Sequence, residues 1–221
     1  VLEVIDKGVA DKNHPVPVLF VHGGCLSAWC WDEHFLDFFA ERGFRAVAVS
    51  WRAHGGSGST KRRSKYSMED YLDDVRWAAD QLGGQPVLVG HSTGGFLVQK
   101  YLQFRAAPAA VLLASTPPRG IFASSMRVWR RQPWIAMRAN TVGQANDLFN
   151  TPALARQFFF SPATPEPIVQ ACASRVEPDS MRAVFIEQSV RLPRPSRVTA
   201  PVLVLGGADD GLISPDEVRA T

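Results

Sequence analysis

Long apolar runs are missing from this sequence of 221 residues, and none approaches the roughly 18 residues that a membrane-spanning helix needs. A charged-then-apolar leader is missing as well, although the chain starts at Val1 rather than Met. The three cysteines, Cys25, Cys30 and Cys172, have neither the pairing of a disulfide framework nor the spacing of a zinc site. We therefore expect a protein with no membrane span and no bound metal, in a reducing compartment such as the cytoplasm.

A large net charge is also missing, since 24 basic and 21 acidic residues leave a formal net charge of only +3. The one basic cluster, residues 61–65, has no interleaved aromatic side chains, so a nucleic-acid surface is not predicted. The glycine-rich stretch 53–58 matches neither G-x-G-x-x-G nor the P-loop pattern, and we expect no nucleotide or other cofactor. Hydrophobic residues make up 46% of the chain, which at this length suits one domain with an insertion.

The most informative motif is the G-x-S-x-G sequence at 90–94, which follows the apolar run 87–89 and precedes apolar residues at helical spacing. A serine at a tight strand-to-helix turn is held in a strained conformation, and the flanking glycines let neighbouring chain come close. The bare motif also occurs by chance in loops, so it is the surrounding strand and helix that favour catalysis. We predict that Ser92 is a nucleophile whose hydroxyl projects clear of a sheet.

A second stretch completes this predicted site. A buried strand ends in His22-Gly23-Gly24, where glycine lets the backbone turn and direct an N–H group inward. The N–H groups of Gly24 and Thr93 then form the oxyanion hole, the donor pair that binds the oxygen of a tetrahedral intermediate. We expect His22 to brace the loop by hydrogen bonds, and Gly23 and His91 to contact substrate.

The order of elements predicts the fold class, an α/β protein with a mainly parallel, doubly wound sheet. Between 119 and 197 prolines separate short amphipathic pieces, which indicates a helical lid inserted into the sheet domain. The core is then residues 1–118 and 198–221, and the lid is residues 119–197. The predicted elements include strands at 2–7, 18–21, 44–49, 87–89, 110–114 and 201–205, and helices at 28–41 and, capped by Ser67, 68–82.

The lid carries exposed-looking aromatic residues, among them Trp129 and Trp134. Each of them, taken singly, is most simply a packing residue. Together they predict an apolar cleft over Ser92, because burying an acyl or aryl group stabilises a complex by ~25 cal/mol per Å². We therefore name Trp129 and Trp134 as substrate-binding residues for an apolar or amphipathic small molecule.

An acidic pair follows the last predicted strand. A carboxylate just past a strand end can accept the Nδ1–H of a histidine and stabilise the imidazolium that forms when serine is deprotonated. Asp209 and Asp210 both occupy this place, directly after Gly206-Gly207-Ala208.

These segments together resemble the α/β-hydrolase superfamily in its lid-bearing single-domain form. The resemblance spans nearly the whole chain, through the loop after residue 21, the elbow at 90–94 and the acidic turn, in the family's order. The family pattern G-x-x-D, read from Gly207, implies that Asp210 is the catalytic acid and that Asp209 comes second.

Within the superfamily, the stretch 22–31 is also similar to small serine esterases and to the related hydroxynitrile lyases. Haloalkane dehalogenases and epoxide hydrolases of this fold carry aspartate at the elbow, and Ser92 therefore argues against them. The resemblance implies a serine hydrolase that cleaves a carboxylic ester through an acyl-enzyme. A C–C bond hydrolase, a perhydrolase, a hydroxynitrile lyase and a non-catalytic ligand receptor of the same fold stay open as alternatives.

The sequence departs from the family in one respect. The family's histidine follows its acid, but no histidine follows Asp210 before Thr221. Among the upstream histidines, His54 is the one candidate for a substitute. We expect instead that the C-terminal part of the fold, with the base, is missing here, and that Ser92 is a weak nucleophile without it.

Overall fold

The computed structural model of the chain describes residues 1–83, 85–141 and 149–221. In these ranges the strands are β1 (Val4–Lys7), β2 (Val18–Val21), β3 (Ala46–Val49), β4 (Val87–His91), β5 (Ala110–Leu113) and β6 (Val202–Leu205). They form one sheet in the order β1-β3-β2-β4-β5-β6. β1 is antiparallel to β3, and every other neighbouring pair is parallel. The predicted α/β class with a mainly parallel sheet is therefore confirmed.

Helices cover both faces of this sheet, because successive strand side chains point to opposite sides. Alternate strand residues such as Phe20 and Ala48 pack against the first two helices, and the intervening ones such as Leu19 and Val47 pack against the next two. Strands buried on both faces in this way are typical of a doubly wound sheet. The four helices are α1 (Trp29–Asp32), α2 (Phe35–Ala40), α3 (Met68–Gln81) and α4 (Thr93–Leu102).

α3 begins where the sequence predicts it. Ser67 Oγ accepts a hydrogen bond from Asp70 N at 3.2 Å, and Asp70 Oδ2 accepts one from Ser67 N at 2.7 Å. This reciprocal capping box satisfies two backbone donors at the helix N-terminus. Tyr71, Leu72 and Val75 then turn the apolar side of the helix into the core.

The single helix predicted over 28–41 is wrong, because α1 and α2 are separate. The chain leaves helical geometry at His34, whose φ is −148°. The break lets rings from both helices surround Phe20 of β2. The ring centroids of Trp31, Phe35 and Phe39 lie 5.1, 6.3 and 5.5 Å from that of Phe20. Aromatic packing on the sheet thus decides the local path of the chain, against a helical periodicity that runs through the break.

Between β5 and β6 the described residues form helices and connecting turns. The helical lid predicted there includes residues 142–148, which lie outside the described ranges. None of the helices in those ranges is long and apolar enough to cross a membrane. The helices are α5 (Phe122–Arg131), α6 (Pro133–Thr141), α7 (Pro152–Phe159), α8 (Glu166–Ser174), a π-helix (Arg182–Glu187) and α9 (Gln188–Val190), and α10 (Pro215–Arg219) follows β6.

The inserted helices pack on the sheet domain through an apolar cluster of their own. Val128, Phe149 and Phe158 of the insertion join Leu212 and Ile213, which follow β6. The insertion is thus attached to the turn after the last strand, close to the carboxyl ends of the parallel strands.

A glycine in α4 fixes the distance between that helix and β2. A Cβ at Gly94 would lie 2.2 Å from His22 O and 2.3 Å from Val21 O, which are backbone atoms that cannot rotate away. We expect Gly94→Ala to lower the free energy of unfolding by about 3 kcal/mol, even though alanine favours helix.

The measurement is urea unfolding, with Gly58→Ala as the matched control. A Cβ at Gly58 meets its nearest atom at 3.6 Å, an ordinary contact. A Gly94→Ala protein as stable as the Gly58→Ala protein would show that helix α4 can move away from β2 without cost.

Candidate active site

Ser92 stands at the turn between β4 and α4 with φ 52° and ψ −118°. A non-glycine residue is strained in this region and holds it only when neighbouring structure enforces it. Here Ser92 N donates to Leu113 O at 3.0 Å, and Ser92 O accepts from Phe96 N and from Thr116 N, each at 3.2 Å. The backbone of the turn is therefore fixed by both α4 and the end of β5, and the side chain is half-buried rather than enclosed.

The loop after β2 lies directly against this turn. A Cβ at Gly23 would stand 3.2 Å from Ser92 Cβ, and one at Gly24 would stand 3.2 Å from Thr93 Oγ1. Thr93 is the first residue of α4, where unpaired backbone N–H groups and the helix dipole favour negative charge. The structure thus brings together Gly23, Gly24, Ser92 and Thr93, which the sequence assigns to one site.

His22 is buried beneath the loop and makes two hydrogen bonds. Its Nε2 accepts from Trp51 N at 3.1 Å, so the ring proton sits on Nδ1, which donates to Gly23 O at 2.8 Å. Burial lowers the pKa of His22 to about 3, and the ring is therefore neutral. These contacts support the prediction that His22 braces the loop.

His54 is fully buried, and both of its ring nitrogens face polar partners. Nδ1 lies 3.2 Å from the carbonyl oxygen of Arg52, and Nε2 lies 3.3 Å from Asp179 Oδ2. Burial alone lowers the pKa of His54, but the Asp179 carboxylate outweighs burial and the pKa is raised. The two ring nitrogens therefore face Arg52 O and Asp179, which argues against His54 as the base for Ser92.

Asp179 is a residue of this region that sequence reasoning missed. Burial raises the pKa of its carboxyl, but His54 and two backbone N–H donors lower that pKa by more, so the net shift of the pKa is downward. Asp179 Oδ2 accepts from Cys25 N at 3.0 Å, across 154 positions of the chain. No local motif marks such a residue, because its partners meet it only in the folded protein.

The acidic turn after β6 distinguishes its two aspartates. Asp209 is exposed, whereas Asp210 is half-buried and its Oδ1 accepts from Leu212 N at 2.8 Å and Ile213 N at 2.9 Å. Burial raises the pKa of Asp210. Its Oδ2 receives no hydrogen bond from the residues that the structure describes, so one oxygen stays open for a further donor.

His91, predicted to contact substrate, turns its ring toward α1 and α2. It lines a cavity of about 280 Å³ with Leu26, Cys30, Trp31, Phe35 and Leu113. A Cβ at Gly23 would stand 2.8 Å from His91 Nδ1, so the ring also touches the loop after β2. Burial lowers the pKa of His91 to about 4.

The two predicted lid tryptophans differ in their surroundings. Trp134 is 76% exposed, whereas Trp129 is 39% exposed and borders a cavity of about 190 Å³. Val184 and Gln188, on another side of the helical segment that lines this cavity, face Gly24 and Thr93. The cavity is lined by Ser125, Val128, Trp129, Ala136, Met181, Phe185, Ile186 and Ser189.

Comparison with known proteins gives the family. A sequence model of the alpha/beta hydrolase family matches residues 18–220, and the chain therefore belongs to that family. The non-heme haloperoxidase of Rhodococcus erythropolis is 37% identical over 106 residues, which are 46% of this chain and 38% of that enzyme. Epoxide hydrolase 3 of Xenopus tropicalis is 39% identical over 88 residues, or 39% of this chain and 23% of that enzyme.

The chain thus spans less than half the length of these two curated relatives. Over the whole fold it is similar to a thermophilic esterase from Thermogutta terrifontis, solved with malate bound. The TM-score is 0.74 at 20% identity, over 99% of this chain and 79% of that one. This structural likeness shows the fold, and the relatives named here are enzymes.

The His54–Asp179 pair makes a prediction about stability and pH. A histidine whose pKa is raised on folding stabilises the protein fully below its unfolded value of about 6.5, and this contribution is lost as pH rises through the folded value. Between pH 6.5 and 8 we expect the free energy of unfolding of the wild type to fall relative to that of His54→Gln, because the neutral buried rings of His22 and His91 contribute equally to both proteins.

Urea unfolding across that pH range measures the effect. His34→Gln, a change at an exposed histidine, serves as the control and should keep the wild-type profile. Parallel curves for the wild type and His54→Gln would mean that His54 is neutral in the folded protein.

Proposed function

We propose that this protein is a serine hydrolase that cleaves a carboxylic ester of a small apolar or amphipathic molecule through an acyl-enzyme. The observation that carries the proposal is the strained turn at Ser92, which lies at the N-terminus of α4 with Gly24 packed against Thr93. A nucleophile and two backbone donors then face the same point at the edge of the sheet.

In the proposed reaction, Ser92 Oγ attacks the ester carbonyl and its proton passes to an imidazole. The carbonyl oxygen becomes an oxyanion, which accepts hydrogen bonds from the N–H groups of Gly24 and Thr93. The imidazolium then gives the proton to the leaving alcohol as the tetrahedral intermediate collapses to the acyl-enzyme. Water repeats these steps and releases the acid, and Asp210 stabilises the imidazolium each time.

The sheet geometry leaves room for an imidazole between Ser92 and Asp210. β4 and β6 flank β5, so the strand ends that lead to Ser92 and Asp210 are two strand spacings apart, about 10 Å. An imidazole with a hydrogen bond at each nitrogen can bridge such a gap. We propose that a histidine outside the 221 residues occupies it, since His22 and His54 are engaged elsewhere and His91 faces α1 and α2.

A second candidate reaction is perhydrolysis, in which hydrogen peroxide replaces water as the acceptor of the acyl group. The 37% identity to a non-heme haloperoxidase favours it. Assay of the acyl transfer with and without peroxide separates the two reactions. Epoxide opening is less well supported, because family enzymes of that kind attack with a carboxylate and this chain has Ser92 at the elbow.

The proposed substrate is at least partly apolar, because apolar side chains dominate the cavity beside Trp129.

We propose that the protein is located in the cytoplasm. Cys25, Cys30 and Cys172 are all free thiols, as a reducing compartment leaves them.

The nucleophile is tested by a fluorophosphonate probe and an activated aryl ester. Ser92→Ala should abolish both labelling and turnover. In the 221-residue chain we expect slow turnover, because Ser92 lacks a base, and a rise of about tenfold when imidazole is added. Ser92→Ala at the same imidazole concentration measures the hydrolysis that imidazole performs unaided.

Two other outcomes would change the proposal. Brisk turnover without imidazole would identify an upstream histidine as the base. A folded, longer protein with a histidine after Asp210 that still fails to label would favour a non-catalytic ligand receptor.

The role of Trp129 is tested against Trp134 as the matched control. If the cavity takes the acyl chain, Trp129→Ala should raise the KM for an octanoyl ester by about tenfold and leave that for an acetyl ester within twofold. Trp134→Ala should change neither, because its ring is mostly in solvent. Equal effects of the two changes would remove Trp129 from the proposed substrate site.

A further inference from the structure

Within the insertion, the segment from Glu177 to Gln188 follows α8 and leads back toward β6. We name this segment the return limb. This limb holds Cys25, the residue directly after Gly24, at both of its backbone groups. Cys25 N donates to Asp179 Oδ2 at 3.0 Å, and Cys25 O accepts from Glu177 N at 2.8 Å. Cys25 is buried with φ 63°, a conformation that a side chain rarely adopts without such support.

The carboxylate of Asp179 is itself fixed from several directions. Its Oδ1 accepts from Tyr71 Oη at 2.9 Å and from Ser180 N at 2.6 Å, and its Oδ2 lies 3.3 Å from His54 Nε2. Tyr71 belongs to α3 and is buried in the main core. Asp179 therefore connects the turn at Cys25 to a rigid part of the sheet domain.

The same limb contacts both residues that carry the proposed oxyanion donors, Gly24 and Thr93. Val184 Cγ1 lies 3.2 Å from where a Cβ on Gly24 would stand. One turn further on, Gln188 Nε2 donates to Thr93 Oγ1 at 3.0 Å and to Val184 O at 2.6 Å. Gln188 is fully buried, and its Oε1 has no hydrogen-bond partner among the described residues. A buried amide with an unsatisfied oxygen costs stability, which points to a role other than folding.

We propose that the return limb sets the geometry of the oxyanion hole, with Asp179 and Gln188 as positioning residues that act through Cys25 and Thr93. This inference rests on the proposed function, because it takes the N–H groups of Gly24 and Thr93 to be the oxyanion donors. Hydrogen bonds at Cys25 N and Cys25 O fix the Gly24–Cys25 peptide, which is joined through Gly24 Cα to the peptide whose N–H is the proposed donor. A displaced donor stabilises the transition state less while leaving substrate binding almost unchanged.

The variants are Asp179→Asn and Gln188→Met. An asparagine must turn its NH₂ group toward either Cys25 N–H or Ser180 N–H, so one donor loses its acceptor. Methionine keeps the shape of Gln188 but donates nothing to Thr93, and its effect on stability should be small because Oε1 already lacks a partner. If Asp179→Asn fails to fold, Gln188→Met still tests the proposal.

Glu187→Gln is the matched control. Glu187 is also a buried carboxylate of the return limb and also accepts from a backbone amide, Met68 N at 2.8 Å. Its contacts are with the start of α3 and with Arg182, not with the oxyanion loop. Any general loosening of the limb should therefore appear in this variant as well.

The readout compares an ester with its thionoester in the full-length protein. Sulfur is a weak hydrogen-bond acceptor, so the thionoester gains little from the oxyanion donors. In both variants we expect kcat for the ester to fall about tenfold with KM within twofold, and the ratio of ester to thionoester rates to fall by a similar factor. Glu187→Gln should keep the wild-type ratio.

A ratio unchanged in Asp179→Asn and Gln188→Met, with turnover still dependent on Ser92, would overturn this inference alone. Equal losses in the three variants would do the same, since they would show a structural role only. Ester turnover that survives Ser92→Ala would overturn the proposed function, and this inference with it.

Discussion

The close approach of β2, β4 and α4 is the constraint on which the site depends. α4 lies so near β2 that Gly94 has space for a hydrogen but not for a methyl group. The same crowding is found at Gly90, where a Cβ would stand 2.6 Å from Gly94 O. This closeness forces the sharp turn at Ser92 and lays the loop with Gly23 and Gly24 against it. The strain at Ser92 is thus a consequence of how tightly the sheet and the helix pack.

A second constraint is electrostatic and lies beneath the loop. Asp179 and His54 form a pair in the protein interior, where an unpaired charge is costly and a paired one stays favourable only with further hydrogen bonds. Tyr71, Cys25 N and Ser180 N supply those bonds to the carboxylate. Removing the carboxylate would leave all of these donors unsatisfied, and the loop, the insertion and α3 are therefore coupled through Asp179.

The parts that sequence predicts well are those whose determinants lie close together in the chain. The Ser92 turn follows from a strand, two glycines and a helix within about twenty residues, and the capping box at Ser67 needs only four. The contrast between exposed Asp209 and half-buried Asp210 agrees with the family pattern. The break at His34 and the role of Asp179 depend on Phe20 and Cys25, which only folding brings near, and no local pattern reports such partners.

The insertion also contacts the acidic turn after β6, which limits how the insertion can move. Arg127 of α5 donates to Leu212 O and pairs with Glu217, and Arg131 Nη1 donates to Gly211 O at 3.2 Å. These contacts hold the turn whose backbone N–H groups fix Asp210. Since the return limb holds the oxyanion side, the insertion is attached at both ends of the proposed site. An insertion attached in this way cannot swing away as one rigid body without disturbing the turns at Cys25 and Asp210, so any opening has to occur in the helices between these two attachments.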